Sequence, residues 1–426
     1  MPISLRPGRL ASSSATYLLA NLLSAAVPFL LLPILTRHMT PAEYGEVALF
    51  QSLVAGLGAF VGLSVQGAAN RKYYDCPDDP AEIRDFISAC LQILLGTSAL
   101  AALLLLVFRV PVAAALGLDA QWFGGAILVS LSTFLAGLRL GQWQVRQQAQ
   151  RYAVFQVAQA AAAFVTAIIA VVLLQEGVAG RLQALIATAV IFAGLALLSL
   201  RREGLLGLRW RPDLLREALA FGLPLVPHIA GIFLLGMADR FLIGRELGAG
   251  PVGIYMVAAQ VAMVLALLAD AINKAYVPWL FERLKRDDAA EKHDIVRKSW
   301  QYFAVALLLA AAMALLGPCL LPVLAGPGYA AAGALIGWLA LGQAFGGMYL
   351  MVTNYVFFSK RTGGLSLVTI GSGAVNILLI LVLIPPLGLA GVAIAYAFSM
   401  GLRFLLTWRL AQHCHPMPWW ERKKYS

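Results

Sequence analysis

Apolar runs of about 20 residues, the length that carries a helix across roughly 30 Å of hydrocarbon, recur from one end of this chain to the other. There are about twelve. They run near Ser14–Thr36, Tyr44–Gln66, Phe86–Phe108, Trp122–Leu140, Tyr152–Leu174 and Leu182–Leu200. After a basic stretch, Arg201–Arg216, come Ala218–Ile243, Val252–Ile272, Tyr302–Leu324, Ala330–Phe358, Leu365–Ile384 and Leu389–Trp408. Only 12% of the 426 residues are charged and 61% are hydrophobic, against roughly 25% charged in soluble domains. The expected fold class is an all-α integral membrane protein. The first run passes through Val27-Pro28-Phe29-Leu30, beyond the small residues Ser24-Ala25-Ala26. It is too long for the apolar core of a secretory signal and reads as an uncleaved helix.

The runs repeat. Phe221–Gln260 is an apolar helix with prolines, a short charged Gly-rich turn and the start of a second helix, and Tyr17–Gln51 has the same plan. Arg37 to Gly45 and Arg245 to Gly253 have identical spacing, and Asn70-Arg71 with Tyr73 is echoed by Asn273-Lys274 with Tyr276. Two parallel six-helix halves are expected: residues 1–200, a cytoplasmic linker at 201–217, and residues 218–426 including a cytoplasmic tail. Placing the N-terminus in the cytoplasm puts 27 of the 32 Lys and Arg on that side, as the retention of positive loops requires. Both termini are then cytoplasmic. The net charge of +11 is a topology signal and needs no nucleic acid to explain it.

No phosphate-binding loop and no His-Glu or Ser-His constellation suggests an enzyme. The four cysteines (Cys76, Cys90, Cys319, Cys414) fall where disulfides are not expected. The run His413-Cys414-His415 packs its side chains too closely in sequence to converge on one metal ion. The acidic pairs Asp78-Asp79 and Asp287-Asp288 read as solvated loops. No cofactor is expected.

Polar material inside helices one, two, seven and eight marks the candidate site. Tyr17, Asn21, Ser24 and Pro28 share one helical face. Pro224, Pro227 and His228 cluster in helix seven, ahead of Asp239-Arg240. Polar groups within a bilayer face a bundle interior or a water-filled cavity. Interhelical hydrogen bonding serves equally for Asn21 and Ser24, and core packing for His228. Five basic residues remain outside: Arg37, Arg109, Arg181, Arg240 and Arg245. Arg37, Arg240 and Arg245 sit at the outer ends of helices one and seven. Either they pair with Glu43, Asp239 and Glu246, or they bind an anion across a repeat interface, for which guanidinium suits phosphate. Arg71 and Lys274 are candidate stations at the opposite ends of helices two and eight. Asp239 and Asp270 are the candidates for ion coupling.

The segments TRHMTPAEYGEVALFQ, ANRKYY, YAVFQVAQ, FGLPLVPHIA, ADRFLIGRELGAGPVGIYMVAAQ and VNILLILVLIPPLGLAGVAIA resemble the polysaccharide-transport, or Wzx-type, flippases of the multidrug/oligosaccharidyl-lipid/polysaccharide (MOP) exporter superfamily. The resemblance covers nearly the whole chain. It implies two six-helix lobes related by a pseudo-two-fold repeat, V-shaped around a central cleft that helices one, two, seven and eight face. It also implies transport of a polyprenyl-pyrophosphate-linked oligosaccharide from the cytoplasmic to the periplasmic leaflet of the bacterial inner membrane by alternating access. The partners would be that lipid-linked oligosaccharide, membrane lipids, and a polymerase and glycosyltransferases making O-antigen, exopolysaccharide or another surface polymer. A cation-coupled multidrug exporter would share the fold but concentrate acidic residues in its lobes. A membrane-embedded polymerase or glycosyltransferase would need large catalytic loops, and the longest loop expected here is Ala275–Ser299. A major-facilitator transporter would carry a basic motif between helices two and three.

Overall fold

In hydrocarbon a backbone has no water to bond to, so an apolar chain of this kind must satisfy its amides within helices. The computed structural model describes residues 7–76, 79–207, 209–361 and 363–420, and among them the regular structure is helical throughout. Eleven helices or helix runs are long and apolar enough to cross a membrane, and a twelfth span forms if α2 (Pro41–Phe60) and α3 (Val65–Asp75) are taken together across a 45° bend. This count of eleven or twelve candidate spans agrees with the expectation of about twelve.

The chain divides into two compact units. Unit 1 comprises Met1–Ala230 with Gly248–Gly250. In it α1 (Pro7–His38) packs on α7 (Ala149–Ile168), and α6 (Phe123–Val145) packs on α2 and α8 (Gly177–Arg202). The short α5 (Arg109–Leu116) follows α4 (Pro80–Val107). Unit 2 comprises Gly231–Leu247 and Pro251–Ser426. There α14 (Gly333–Phe358) lies between α13 (Ala289–Leu324) and α16 (Leu389–Cys414), with α15 (Gly363–Leu387) against α16. The division falls inside α10 (Val226–Gly236), later than residue 218, because α9 (Pro212–Gly222) packs on α3 and α4. Much of the basic stretch expected as a linker is thus held against unit 1.

Two breaks have local causes. Gly62, Leu63 and Ser64 all have positive φ (76°, 46° and 60°), a conformation that costs non-glycine residues about 1–2 kcal/mol each. The Gly62 N–H released at the bend donates to Thr97 Oγ1 on α4 at 2.9 Å. In the expected helix seven, Pro224 and Pro227 lack the amide hydrogens a continuous helix needs. The span there runs α9, a 3₁₀ turn at Leu223–Leu225, then α10. The short charged turn expected between Ile243 and Val252 is largely helical, formed by the end of α11 (Asp239–Leu247) and the start of α12 (Ala249–Arg286).

The expected loop Ala275–Ser299 is also mostly helix. At 38 residues, α12 is about 57 Å long, so it outruns the hydrocarbon core. Leu280 and Leu284 on its extension are buried with Ile295 and Val296 of α13. The chain reverses at Asp287 (φ 55°), and Asp288 caps α13 by accepting from Glu291 N at 2.9 Å. Asp79 caps α4 in the same way through Glu82 N. Two of the acidic residues singled out in the sequence are thus helix caps, worth about 1 kcal/mol each. Asp78 lies outside the described residues.

The bend after α2 predicts a stability effect. A Cβ on Gly222 would fall 2.2 Å from the Leu63 carbonyl oxygen, whereas one on Gly96, within α4, would meet nothing within 4 Å. Gly222→Ala is expected to cost about 1–3 kcal/mol and Gly96→Ala to gain about 0.5–1 kcal/mol. Thermal unfolding in detergent should order the three proteins as Gly96→Ala, parent, Gly222→Ala.

Candidate functional site

Both halves use one device to tie the second helix of the half to the fourth. In unit 1 Gln142 Nε2 on α6 donates to Ala69 O at 3.1 Å and reaches Asn70 Oδ1 at 3.4 Å. In unit 2 Asn354 Nδ2 on α14 donates to Asn273 Oδ1 at 2.8 Å. Asn70 lies so close to α6 that a Cβ at Gly141 would sit 2.5 Å from its amide. The repeated asparagines are therefore helix-to-helix ties. Asn21 has the same character: it is exposed on α1, yet its Oδ1 accepts from Gln156 Nε2 at 2.8 Å and Tyr152 Oη at 3.1 Å on α7. Tyr17 stacks edge-on against Tyr152 at 4.9 Å, and Ser24 points at Gln156 O. The polar face of helix one is a seam with α7.

The strongest concentration of unlike charges in unit 1 surrounds Lys72, the neighbour of the expected Arg71. Lys72 is buried on α3, with Nζ 2.9 Å from Glu217 of α9, 3.4 Å from Glu82 of α4 and 5.1 Å from the Phe86 ring centroid. Arg71, one residue earlier, is exposed and pairs with Asp75 at 3.2 Å. Arg71, Lys72, Asp75 and Glu217, with Phe86 and Phe221, line an open pocket of about 310 Å³. Arg37, by contrast, lies exposed in the last turn of α1.

In unit 2 the expected arginines separate into two environments. Arg240 is buried and its Nη1 donates to Asp239 Oδ1 at 2.7 Å and to the Gly236 carbonyl. Tyr255 Oη donates to the other Asp239 oxygen at 2.5 Å, with the guanidinium 5.7 Å from the Tyr255 ring centroid. The Asp239 carboxylate is saturated on both oxygens. Arg245 is exposed and paired with Glu246 at 2.7 Å. Lys274 and Asp270 form an exposed pair of their own at 2.6 Å. His228 is half-buried in the first turn of α10.

Sequence reasoning passed over the most buried cation. Arg139 falls at the very end of the expected run Trp122–Leu140, but α6 continues to Val145 and Arg139 has no exposed surface. Its Nε donates to Ser199 Oγ at 3.0 Å, its Nη2 to Glu203, and its guanidinium lies 4.2 Å from the Trp143 ring centroid. Arg151 meets the same Glu203 at 2.9 Å. At the end of α16 His415 stacks on Tyr355 and meets Phe358 edge-on. Burial there, with Lys292 nearby, lowers its pKa. Among the described residues no group of three or more His, Cys, Asp or Glu is placed to hold a metal ion.

These environments predict unequal costs. Tyr255→Phe removes a buried bond to a carboxylate and should destabilise by about 1.5–3 kcal/mol. Asp239→Ala, which strands Arg240, should cost about 3–5 kcal/mol. Arg245→Ala breaks only an exposed pair and should stay within about 1 kcal/mol. Melting temperatures of the purified proteins should fall from Arg245→Ala through Tyr255→Phe to Asp239→Ala.

Residues 10–284 match the model of the family described as "Polysaccharide biosynthesis protein". Protein 1 of the Lsg locus of Haemophilus influenzae is 26% identical over 281 residues, covering 64% of this chain and 66% of that protein. The match thus spans just under two thirds of that relative. The fold is shared with solved structures of low identity. One is the inward closed conformation of the lipid II flippase MurJ, with TM-score 0.75 and 12% identity over 93% of this chain and 86% of that one. Another is the inward-facing conformation of a multidrug resistance MATE family transporter of the MOP superfamily, with TM-score 0.68 and 15% identity over 93% and 94%. With more than half its length matched by the family model, the chain belongs to the polysaccharide biosynthesis protein family, and it shares its fold with those two structures.

Proposed function

We propose that this protein is a flippase that moves a polyprenyl-pyrophosphate-linked oligosaccharide from the cytoplasmic to the periplasmic leaflet of the inner membrane by alternating access, for assembly of a surface polysaccharide. The observation that carries the reading is the open pocket of about 310 Å³ in which Arg71 and Lys72 stand beside Asp75 and Glu217. A sugar-pyrophosphate headgroup cannot enter hydrocarbon without losing its water, at several kcal/mol per unpaired polar group. A polar pocket within a spanning unit removes that barrier while the lipid tail stays in the bilayer. Its two cations hold carboxylates that an incoming pyrophosphate can replace, so binding is an exchange of anions. Arg37, Arg245 and Lys274 are further, more exposed stations for the headgroup, and both termini lie in the cytoplasm. A polymerase and glycosyltransferases of the same pathway are the expected partners.

A cation-coupled drug exporter needs a carboxylate free to bind and release its ion. Asp239 is held by Arg240 and Tyr255, and Asp270 is an exposed partner of Lys274. The anionic cargo supplies another source of drive. With roughly two negative charges leaving a negative cytoplasm, the membrane potential contributes at most about 5 kcal/mol at about 100 mV.

The exchange is tested in vesicles reconstituted with a pyrophosphate-linked saccharide on a short polyprenyl chain. Lys72→Ala should slow transport about 10–100-fold, the loss of one charge-assisted bond. Glu217→Gln, which removes the competing charge, should tighten binding of that lipid. Weaker binding in Glu217→Gln, with the protein folded, would mean that the pair only supports the fold. Collapsing the potential with pH and sodium gradients held should slow transport. A rate that instead follows only an ion gradient, and loses that dependence in Asp270→Asn, would establish antiport.

A further inference from the structure

We propose that unit 2 carries a binding site for an anionic phospholipid, with the lipid phosphate at the basic ends of α12 and α13 and one acyl chain in the crease between α12, α13 and α14. None of its residues is assigned above to the cargo, so the inference does not depend on that reading.

The head of the site is a pocket of about 260 Å³ whose wall includes Tyr276, Trp279, Lys298 and Tyr302. Arg283 and Lys298 lie over the Trp279 ring, 4.4 and 4.5 Å from its centroid. Both cations also bind Asp294, at 3.0 and 2.9 Å, and Arg297 binds it at 2.7 Å. Three cations share one carboxylate, so the cluster keeps an excess of positive charge. It keeps it beside an indole and two phenols, the side chains that settle at the headgroup level of a bilayer. Basic pockets between membrane-spanning helices bind anionic headgroups for this reason.

From the head the groove leads into apolar surface. Ile272 and Tyr302 belong both to the pocket and to a shallow crease lined by Leu268, Val305 and Leu309. Those three are 48%, 51% and 42% exposed, an apolar strip within spanning helices that the described residues leave open. The step between head and crease depends on Gly347 of α14, where a Cβ would fall 2.5 Å from Tyr302 Oη and 2.9 Å from Ala269 Cβ. The order is cations, aromatic rings, then hydrocarbon surface, which is the order of groups along a phospholipid. The excess of cations over carboxylates selects a lipid of net negative charge over a zwitterion.

The test uses native mass spectrometry of the purified full chain, titrated with dioleoylphosphatidylglycerol, dioleoylphosphatidylcholine and a polyprenyl phosphate. Phosphatidylglycerol should bind in preference to phosphatidylcholine. Lys298→Gln should weaken phosphatidylglycerol about fivefold, the contribution of one basic residue at an anionic surface, and leave phosphatidylcholine unchanged. Leu309→Trp, which fills the crease without altering charge, should weaken phosphatidylglycerol as well. Melting temperatures of the lipid-free variants identify any that fails to fold, and either variant alone suffices. Equal binding of the two dioleoyl lipids, or an unchanged phosphatidylglycerol affinity in a folded variant, overturns the proposal. Displacement of phosphatidylglycerol by polyprenyl phosphate at equal concentration also overturns it, and assigns the groove to the polyprenyl lipid.

Discussion

A charge in a low-dielectric interior costs least when an opposite charge and hydrogen bonds replace the water it has lost, and three of the buried cations meet that constraint with a carboxylate. Arg139, Lys72 and Arg240 are buried, and each meets a carboxylate: Glu203, Glu217 and Asp239. In each case the carboxylate has a further partner or exposure to solvent. Glu203 also meets Arg151, Glu217 remains partly exposed, and Asp239 also accepts from Tyr255. The pairs also tie elements together. Lys72 of α3 reaches both Glu82 of α4 and Glu217 of α9, which helps to hold the start of the seventh span on unit 1. Replacing such pairs by apolar residues can be neutral for stability, whereas removing one partner is not.

Uncharged amides work by the same rule at lower cost. Gln142 with Ala69 and Asn70, and Asn354 with Asn273, occupy corresponding places in the two halves. An amide facing hydrocarbon would be unsatisfied, so each pair has one register in which its helices fit. The close approach of Asn70 to Gly141 fixes that register sterically as well. The repeated Asn70 and Asn273 are thus accounted for by helix packing. This is also why Asn21, on the polar face of α1, is matched by Tyr152 and Gln156 on α7.

The number of spans was legible in the sequence because hydropathy over about 20 residues answers directly to the thickness of the hydrocarbon core. The repeat was legible because its polar residues keep their spacing. Helix that continues past the core was not, since hydropathy falls there while helix formation does not. The residues from Trp279 to Arg286 mix apolar and charged groups and extend α12, with Leu280 and Leu284 buried. The same effect hid Arg139, which stands at the end of the apolar run by position but belongs to the interior of α6. The choice between Arg71 and Lys72 was beyond sequence reading for another reason. Adjacent residues on a helix point about 100° apart, and which one turns inward is fixed by the bend at Gly62–Ser64 and by the docking of α9. Neither leaves a periodic signal. Glu217 could have been found only by knowing that the expected linker folds onto α3.

The ion pairs rank the candidate stations by what each must give up to hold a phosphate. Arg71–Asp75, Arg245–Glu246 and Lys274–Asp270 are all exposed, and such pairs are worth about 0–1 kcal/mol. On the proposed function an incoming pyrophosphate would replace the carboxylate at little cost, the released side chain being taken up by water. Arg240 differs, because freeing it leaves Asp239 buried with only Tyr255, at about 3–5 kcal/mol. Its guanidinium is therefore committed to the fold in this conformation. Lys72 stands between the two. It is buried, but its partner Glu217 is nearly half exposed and Glu82 remains at 3.4 Å, so Glu217 can swing into solvent without stranding a charge. For a cargo that must be released as well as bound, this intermediate position is the useful one: a bare buried cation would hold pyrophosphate too tightly to let it leave, and a fully solvated pair would scarcely distinguish it from water.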